Sequence, residues 1–116
     1  GTILRTLVDT ASFIIICLSA EGEIQEFNPA AEQLLSRRRD AVLGKNYFQL
    51  FEPDLSTREM ATALERMMIE EPKEKFVTRV ETAGGPVSIE WSARHMLDDS
   101  GTSSGLVAIG QKVIAL

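Results

Sequence analysis

The stretch GEIQEFNPAAEQLL, residues 22–35, decides the fold of this chain. Gly22 can adopt positive φ and close a hairpin turn, from which Ile24–Phe27 returns as a strand. Asn28 is a good helix N-cap, and Pro29 at the first helical position loses no hydrogen bond. The chain is therefore predicted to change from strand to helix at Asn28-Pro29, with Ala30–Leu35 as a short helix.

Before this stretch, the sequence predicts a short helix and a strand. Apolar residues at helical spacing predict an amphipathic helix within residues 1–10, with its stripe at Ile3, Leu4, Leu7 and Val8. The segment Phe13–Leu18 is apolar at odd and even positions alike, which is typical of a strand that is covered on both faces.

After it, short helical segments lead to a longer helix and then to strands. Asp40–Leu43 and an aromatic cluster at 47–51 precede a helix that begins at Ser56 or Thr57 and ends before Pro72. From Phe76 onward the apolar period is two, with turns at 83–86 and 98–105. Strands on both sides of a helical insert predict an α+β domain built on one antiparallel sheet.

Composition limits the classes of function. The 116 residues carry a net charge of −5, and an acidic surface of this kind disfavours nucleic-acid binding. One cysteine, Cys17, permits no internal disulfide and suits a reducing compartment. The longest apolar run, Phe13–Leu18, is far shorter than the ~20 residues of a membrane span. We therefore expect a cytoplasmic domain without direct membrane contact.

In this order and spacing, the motifs resemble those of the PAS family (sensory box). The resemblance rests on the 22–35 stretch, on Val42-Leu43-Gly44-Lys45, and on Glu90-Trp91-Ser92-Ala93-Arg94 followed by Asp98-Asp99 and Gly101. It implies a five-stranded antiparallel sheet with helices packed on one face around a small cavity, and a short N-terminal helix. The chain departs from the family where Lys112-Val113-Ile114 stands in place of the frequent Asp-Ile-Thr that helps couple the sheet to a following helix.

The resemblance also implies a role. We expect residues 1–116 to be a single PAS-like sensor domain, with the N-terminal helix at 1–10, the core at 11–110 and a C-terminal exit at 111–116. It would serve as a signal-sensing, homodimerising input module. A covalently linked output domain would lie outside this chain, in a histidine kinase of a two-component system, a cyclase or a transcription regulator. Its core cavity would bind a small molecule.

Candidate ligand-binding residues follow from the cavity that the family implies. The apolar stripe of the long helix, which includes Met60, Leu64 and Met67, is either part of the core or part of the cavity wall, because methionine adapts to irregular spaces. Tyr47 and Phe51 would cap the cavity. Arg79 would pair with a carboxylate or phosphate ligand, or else with a glutamate across the strands. The candidates are Tyr47, Phe51, Met60, Leu64, Met67, Arg79 and Trp91.

No cofactor is identifiable from the sequence. Haem-binding relatives typically supply a histidine from the long helix, where this chain has none, and a lone His95 cannot build a metal site. Covalent flavin photochemistry is disfavoured because Cys17 lies on the first strand, outside the family's Asn-Cys-Arg context. Non-covalent flavin stays open, since Trp91 and Arg79 could both contact its ring system.

Three functions therefore compete. The first is the sensory and dimerising module, in which the helix stripe caps the outer face of the sheet and pairs with its copy in a symmetric dimer; the interface residues are Ile3, Leu4, Leu7 and Val8. The second is a flavin-type redox sensor of the same fold. The third, a small α+β enzyme, is disfavoured because the sequence offers neither a nucleophile–base pair nor two carboxylates in an apolar pocket.

Overall fold

The computed structural model of the chain describes residues 2–69 and 74–113. Five helices precede or divide the strands: α1 (Thr2–Thr10), α2 (Pro29–Leu35), α3 (Arg39–Val42), α4 (Tyr47–Phe51) and α5 (Thr57–Ile69). The strands are β1 (Ile14–Ser19), β2 (Ile24–Phe27), β3 (Glu74–Thr82), β4 (Gly85–Leu97) and β5 (Ser103–Lys112). The predicted α+β fold with one antiparallel sheet is confirmed.

The five strands form one sheet in the order β2-β1-β5-β4-β3, and every neighbouring pair is antiparallel. Since β1 and β5 lie side by side, the first and last strands of the domain meet at the centre of the sheet. Ile14 and Ile16 of β1 are buried beneath the helices, whereas Ile15 and Cys17 on the other face are half-buried. The prediction that β1 is fully covered on both faces is therefore met on one face alone.

The junction at Asn28-Pro29 forms as predicted. The side-chain oxygen of Asn28 accepts a hydrogen bond of 3.0 Å from the N–H of Ala31, and α2 begins at Pro29. The next short helix, α3, has no side-chain cap from Arg38. Instead the carboxylate of Glu32 accepts the N–H of Arg39 at 2.8 Å, so a residue of α2 satisfies the first turn of α3.

Helix α5 starts with a reciprocal capping box. The Ser56 N–H donates to the Glu59 carboxylate at 2.8 Å, and the Glu59 N–H donates to the Ser56 hydroxyl at 3.1 Å. The helix is described to Ile69, and Pro72, its predicted terminator, lies outside the described residues. None of the residues of α5 is fully buried, so this helix covers the sheet without being sealed into the core.

The apolar stripe of α1 does not lie on the sheet of its own chain. Ile3, Leu4 and Leu7 are 79 %, 64 % and 61 % exposed. Two polar contacts orient the helix instead: Arg5 donates to the Glu26 carboxylate of β2 at 3.0 Å, and Asn28 donates to the Val8 carbonyl at 3.2 Å. With Arg5 drawn toward the edge strand, the stripe faces away from the sheet. In the described part of the chain, no helix has the length and apolar character needed to cross a membrane.

The predicted C-terminal exit, 111–116, begins inside β5. Gln111 and Lys112 still pair with β4, and the N–H of Val113 donates to the carbonyl of Ser88 at 2.9 Å. The last three residues lie outside the described part of the chain. The chain therefore leaves the sheet from a central strand, beside the start of β1.

Candidate functional site: an apolar cavity between the sheet and the helices

A cavity of about 320 Å³ lies between the inner face of the sheet and helices α4 and α5. This volume is at the low end of the ~300–1,000 Å³ range that is usual for small-molecule sites. Apolar side chains form most of its wall. The lining residues are Ile16, Leu18, Tyr47, Phe48, Glu52, Ala63, Arg66, Met67, Phe76, Thr78, Trp91, Ala93 and Ala108.

Trp91 forms the centre of the sheet side of the wall. Strand alternation places its side chain on the same face as Ile89 and Ala93, and it is almost fully buried. Its indole N–H donates to the hydroxyl of Thr78 on β3 at 2.8 Å. Because this hydrogen bond holds the ring against the neighbouring strand, Trp91 presents a fixed aromatic surface to the cavity.

Tyr47 forms part of the helix side. Its ring contacts those of Phe48 and Phe51, with centroids 5.5 Å and 5.2 Å away. Asn46 caps α4 by accepting the N–H of Gln49 at 3.2 Å, which fixes the start of the helix that carries Tyr47. Burial, followed by the nearby charge of Glu52, raises the pKa of the Tyr47 hydroxyl far above its ordinary value. The group is therefore a neutral phenol.

Glu52 introduces a carboxylate into this apolar wall. It follows α4 directly, where its N–H donates to the Phe48 carbonyl at 2.8 Å, and its side chain is half-buried. Burial raises the pKa of this carboxyl above its usual range, because a charged group is less stable away from water. Glu52 also borders a second, outer groove that includes Arg79 and Glu81. It therefore stands between the cavity and the outside of the domain.

Three of the seven residues predicted as ligand contacts line the cavity: Tyr47, Met67 and Trp91. Phe51 is fully buried and stacks on Phe27, with centroids 6.0 Å apart, so it belongs to the core. Arg79 is exposed and borders the outer groove, since its parity on β3 is opposite to that of Thr78.

Met60 and Leu64 pack against the core without lining the cavity. A Cβ built on Gly22 would lie 3.5 Å from Leu64, which places that side chain over the turn between β1 and β2. The sequence reasoning missed the polar wall residues Glu52, Arg66 and Thr78. A signal did exist for Thr78, because it shares the strand parity of Phe76 and Val80.

Cys17 and His95 lie outside the cavity wall. Cys17 has the opposite parity to Ile16 and Leu18, which line the cavity, so it faces the outer side of the sheet. Burial raises the pKa of its thiol above the ordinary value, which keeps the group protonated. His95 Nδ1 lies 2.8 Å from the hydroxyl of Ser103. Within residues 2–69 and 74–113, no three His, Cys, Asp or Glu side chains converge as metal ligands would.

Comparison with known proteins identifies the family. The model of the PAS fold matches residues 2–113, so this chain belongs to the PAS family. PAS domains typically sit within larger signalling proteins, and this chain is a PAS sensory domain. No curated protein sequence matches the chain.

Solved structures agree on the fold. The PAS domain of an HTR-like protein from Haloarcula marismortui superposes with a TM-score of 0.78 at 21 % identity, over 97 % of this chain and 90 % of that one. A domain of a sensory box sensor histidine kinase/response regulator from Geobacter sulfurreducens gives 0.75 at 24 % identity, over 95 % and 91 %. An RNA-binding light-oxygen-voltage receptor gives 0.82 at 18 % identity, over 97 % of this chain and 33 % of the receptor. At these identities the likeness establishes the fold alone.

Proposed function

We propose that this chain is the cytoplasmic input module of a larger signalling protein, and that it senses a small molecule held in the cavity beneath α5. The output domain would be a histidine kinase, a cyclase or a transcription regulator. The observation that carries the proposal is the cavity itself: it lies between the sheet and α4 and α5, is mainly apolar, and carries a few polar groups on its wall, as small-molecule sites do.

The packing of α5 supports a mechanism. Met67 and Ala63 contact the cavity from this helix, yet no residue of the helix is fully buried. Elements with few buried contacts open at low free-energy cost, so a ligand that fills the cavity can favour one position of α5 over another. Such a shift would be passed through the sheet to β5, whose C-terminal end leads toward the output domain.

Native mass spectrometry with an absorption spectrum of the freshly purified chain tests this function. A bound mass without colour is expected for a colourless metabolite. A bare chain that also gains no thermal stability from any member of a metabolite library would contradict ligand sensing. The alternative, a flavin-type redox sensor, predicts absorbance at about 450 nm.

The residues of the cavity fit a flavin only in part. The Trp91 ring offers a stacking surface, as the alternative requires. Arg79, the predicted partner for a flavin, lies outside the cavity, and the Glu52 carboxylate lies in its wall. These positions favour the small exchangeable molecule over the flavin.

We further propose that two copies associate through the stripe of α1, formed by Ile3, Leu4, Leu7 and Val8. Three large apolar side chains that face water on one short helix are costly in a monomer, and a symmetric copy would cover them. The half-buried Ile15 and the exposed Ile109, which pair on the outer sheet face, extend the apolar surface available to a second copy.

Light scattering tests the dimer. The double variant Leu4→Glu/Leu7→Glu should be a monomer at concentrations where the parent chain is a dimer. The matched control, Thr2→Glu/Thr6→Glu, adds the same charge on the opposite face of α1 and should stay dimeric. A dimer that survives the first pair of substitutions would show that the interface lies elsewhere.

A further inference from the structure

The hydroxyl of Tyr47 lacks a hydrogen-bond partner in the described protein. Tyr47 is 7 % exposed and lines the cavity, and no hydrogen bond among residues 2–69 and 74–113 uses its hydroxyl. The hydroxyl is not sealed in the core either, because every fully buried side-chain nitrogen or oxygen of the described residues has a partner. A nearly buried polar group in this position borders the cavity and is available to whatever fills it.

Glu52 supplies a second available group beside the first. Its carboxylate makes no ion pair within 4.0 Å with any described cation, and it lies close enough for its charge to raise the pKa of Tyr47. By contrast, Thr78 already accepts the indole N–H of Trp91. Among the buried and half-buried residues of the wall, the unused hydrogen-bonding capacity is therefore concentrated at Tyr47 and Glu52.

The two groups differ in what they can bind. An ionised carboxylate only accepts hydrogen bonds, while a phenol both donates and accepts. Both can therefore receive an N–H or O–H group, and the half-buried carboxylate repels an anion. Arg66 also borders the cavity, but its side chain is exposed and its charge is screened by water. The wall around these groups is apolar.

We propose that the cavity selects a compact, apolar ring compound that carries an N–H or O–H donor and no negative charge. The donor lies between the carboxylate of Glu52 and the hydroxyl of Tyr47. This inference rests on the proposed small-molecule function and specifies its ligand class. The low cavity volume sets the size, and the contrast between the polar pair and the apolar wall sets the orientation.

Three matched probes test the selection by ligand-observed NMR and calorimetry: indole, indene (which lacks the N–H) and indole-3-carboxylate. Indole should bind at least about ten-fold more tightly than indene, because indene leaves the polar pair unsatisfied. The carboxylate should not bind measurably. Glu52→Gln should keep indole binding within a few-fold and admit the carboxylate. Tyr47→Phe should reduce the preference for indole over indene.

Two outcomes separate this inference from the proposed function. If indole and indene bind equally, or if the carboxylate already binds the parent chain, the selection is wrong but the cavity remains a binding site. If none of the three probes binds the parent chain or Glu52→Gln, the selection is wrong, and the proposed function then stands or falls on the metabolite library. Ala63→Trp, which places an indole in the cavity wall, locates the site: binding that persists in a folded Ala63→Trp variant would overturn the inference.

Discussion

The side-chain amide of Asn28 donates to the carbonyl oxygen of Val8 at 3.2 Å and so ties the N-terminal helix to the start of α2. The same amide nitrogen donates to Phe13 at 2.9 Å, while the amide oxygen accepts from Ile15 at 2.9 Å and from Ala31. One buried side chain therefore connects α1, β1 and α2. The position of α1, whose stripe is the proposed dimer interface, depends on it.

Replacing Asn28 should release α1 and destabilise the core together. Asn28→Ala removes the N-cap and the partners of the part-buried backbone groups of Phe13 and Ile15, which together should cost ~2–3 kcal/mol in the free energy of unfolding. Asn46→Ala is the control, because Asn46 caps α4 but does not reach α1, and it should cost only ~1 kcal/mol. Urea denaturation measures both, and equal losses would show that the bonds from Asn28 to Val8, Phe13 and Ile15 add nothing beyond the helix cap.

Gly110 on β5 should not tolerate a side chain. A Cβ at this position would lie 2.7 Å from the Trp91 ring and 2.8 Å from Ile89. Gly110→Ala should therefore cost ~1–3 kcal/mol of stability through overpacking and shift the cavity wall. At Gly84, a Cβ would come no closer than 3.8 Å to Thr82, so Gly84→Ala is the matched control and should be nearly neutral. Thermal unfolding of the two variants checks the difference.

Local patterns account for the part of the fold that the sequence predicted. Asn28-Pro29, the Ser56–Glu59 capping box and the alternation along β4 all act within a few residues, so their geometry follows from the chain itself. The stripe of α1 was also recognised from its spacing. That it faces away from its own sheet depends on Arg5 reaching Glu26, a contact across 21 residues that no local pattern encodes.

The candidate site was predictable only where parity decides it. Trp91 and Thr78 follow from strand alternation, and the same rule places Arg79 on the opposite face. Along α5, Met60, Leu64 and Met67 belong to one stripe, and the angle at which the helix crosses the sheet decides which of them reaches the cavity. Glu52 lies in the turn after α4, where the sequence shows neither helical nor strand periodicity. Its place in the cavity wall is therefore set by how the helices pack on the sheet, which no local pattern encodes.

The hydrogen bond from Trp91 to Thr78 should contribute measurably to stability. Thr78→Val keeps the shape of the side chain but leaves the buried indole N–H without an acceptor, at an expected cost of ~1–3 kcal/mol. Trp91→Phe/Thr78→Val should cost less than the sum of the two single variants, because the two groups interact directly. Since Trp91 is the one tryptophan of the chain, its emission should also shift in Thr78→Val. Additive losses together with unchanged emission would contradict the bond.

Glu52 should make the domain less stable as the pH rises. Burial raises the pKa of this carboxyl above its ordinary 4.5, so the folded state retains the proton at a pH where the unfolded chain has lost it. The resulting stabilisation is complete below the pKa that this carboxyl has in the unfolded chain. It is lost as the pH rises through the higher pKa that the carboxyl has in the folded domain.

Glu52→Gln removes this ionisation, so at neutral pH it should raise the free energy of unfolding above that of the parent chain. The two proteins should converge toward about pH 4, where the carboxyl is protonated in both states. Glu59 is the control of opposite sign, because hydrogen bonds from the backbone and side chain of Ser56 lower its pKa. Glu59→Gln should therefore lower stability at neutral pH. Urea titrations from about pH 4 to about pH 7 follow the free energy of unfolding of both variants. If Glu52→Gln is less stable than the parent chain at neutral pH, the carboxylate is not destabilised by its place in the cavity wall.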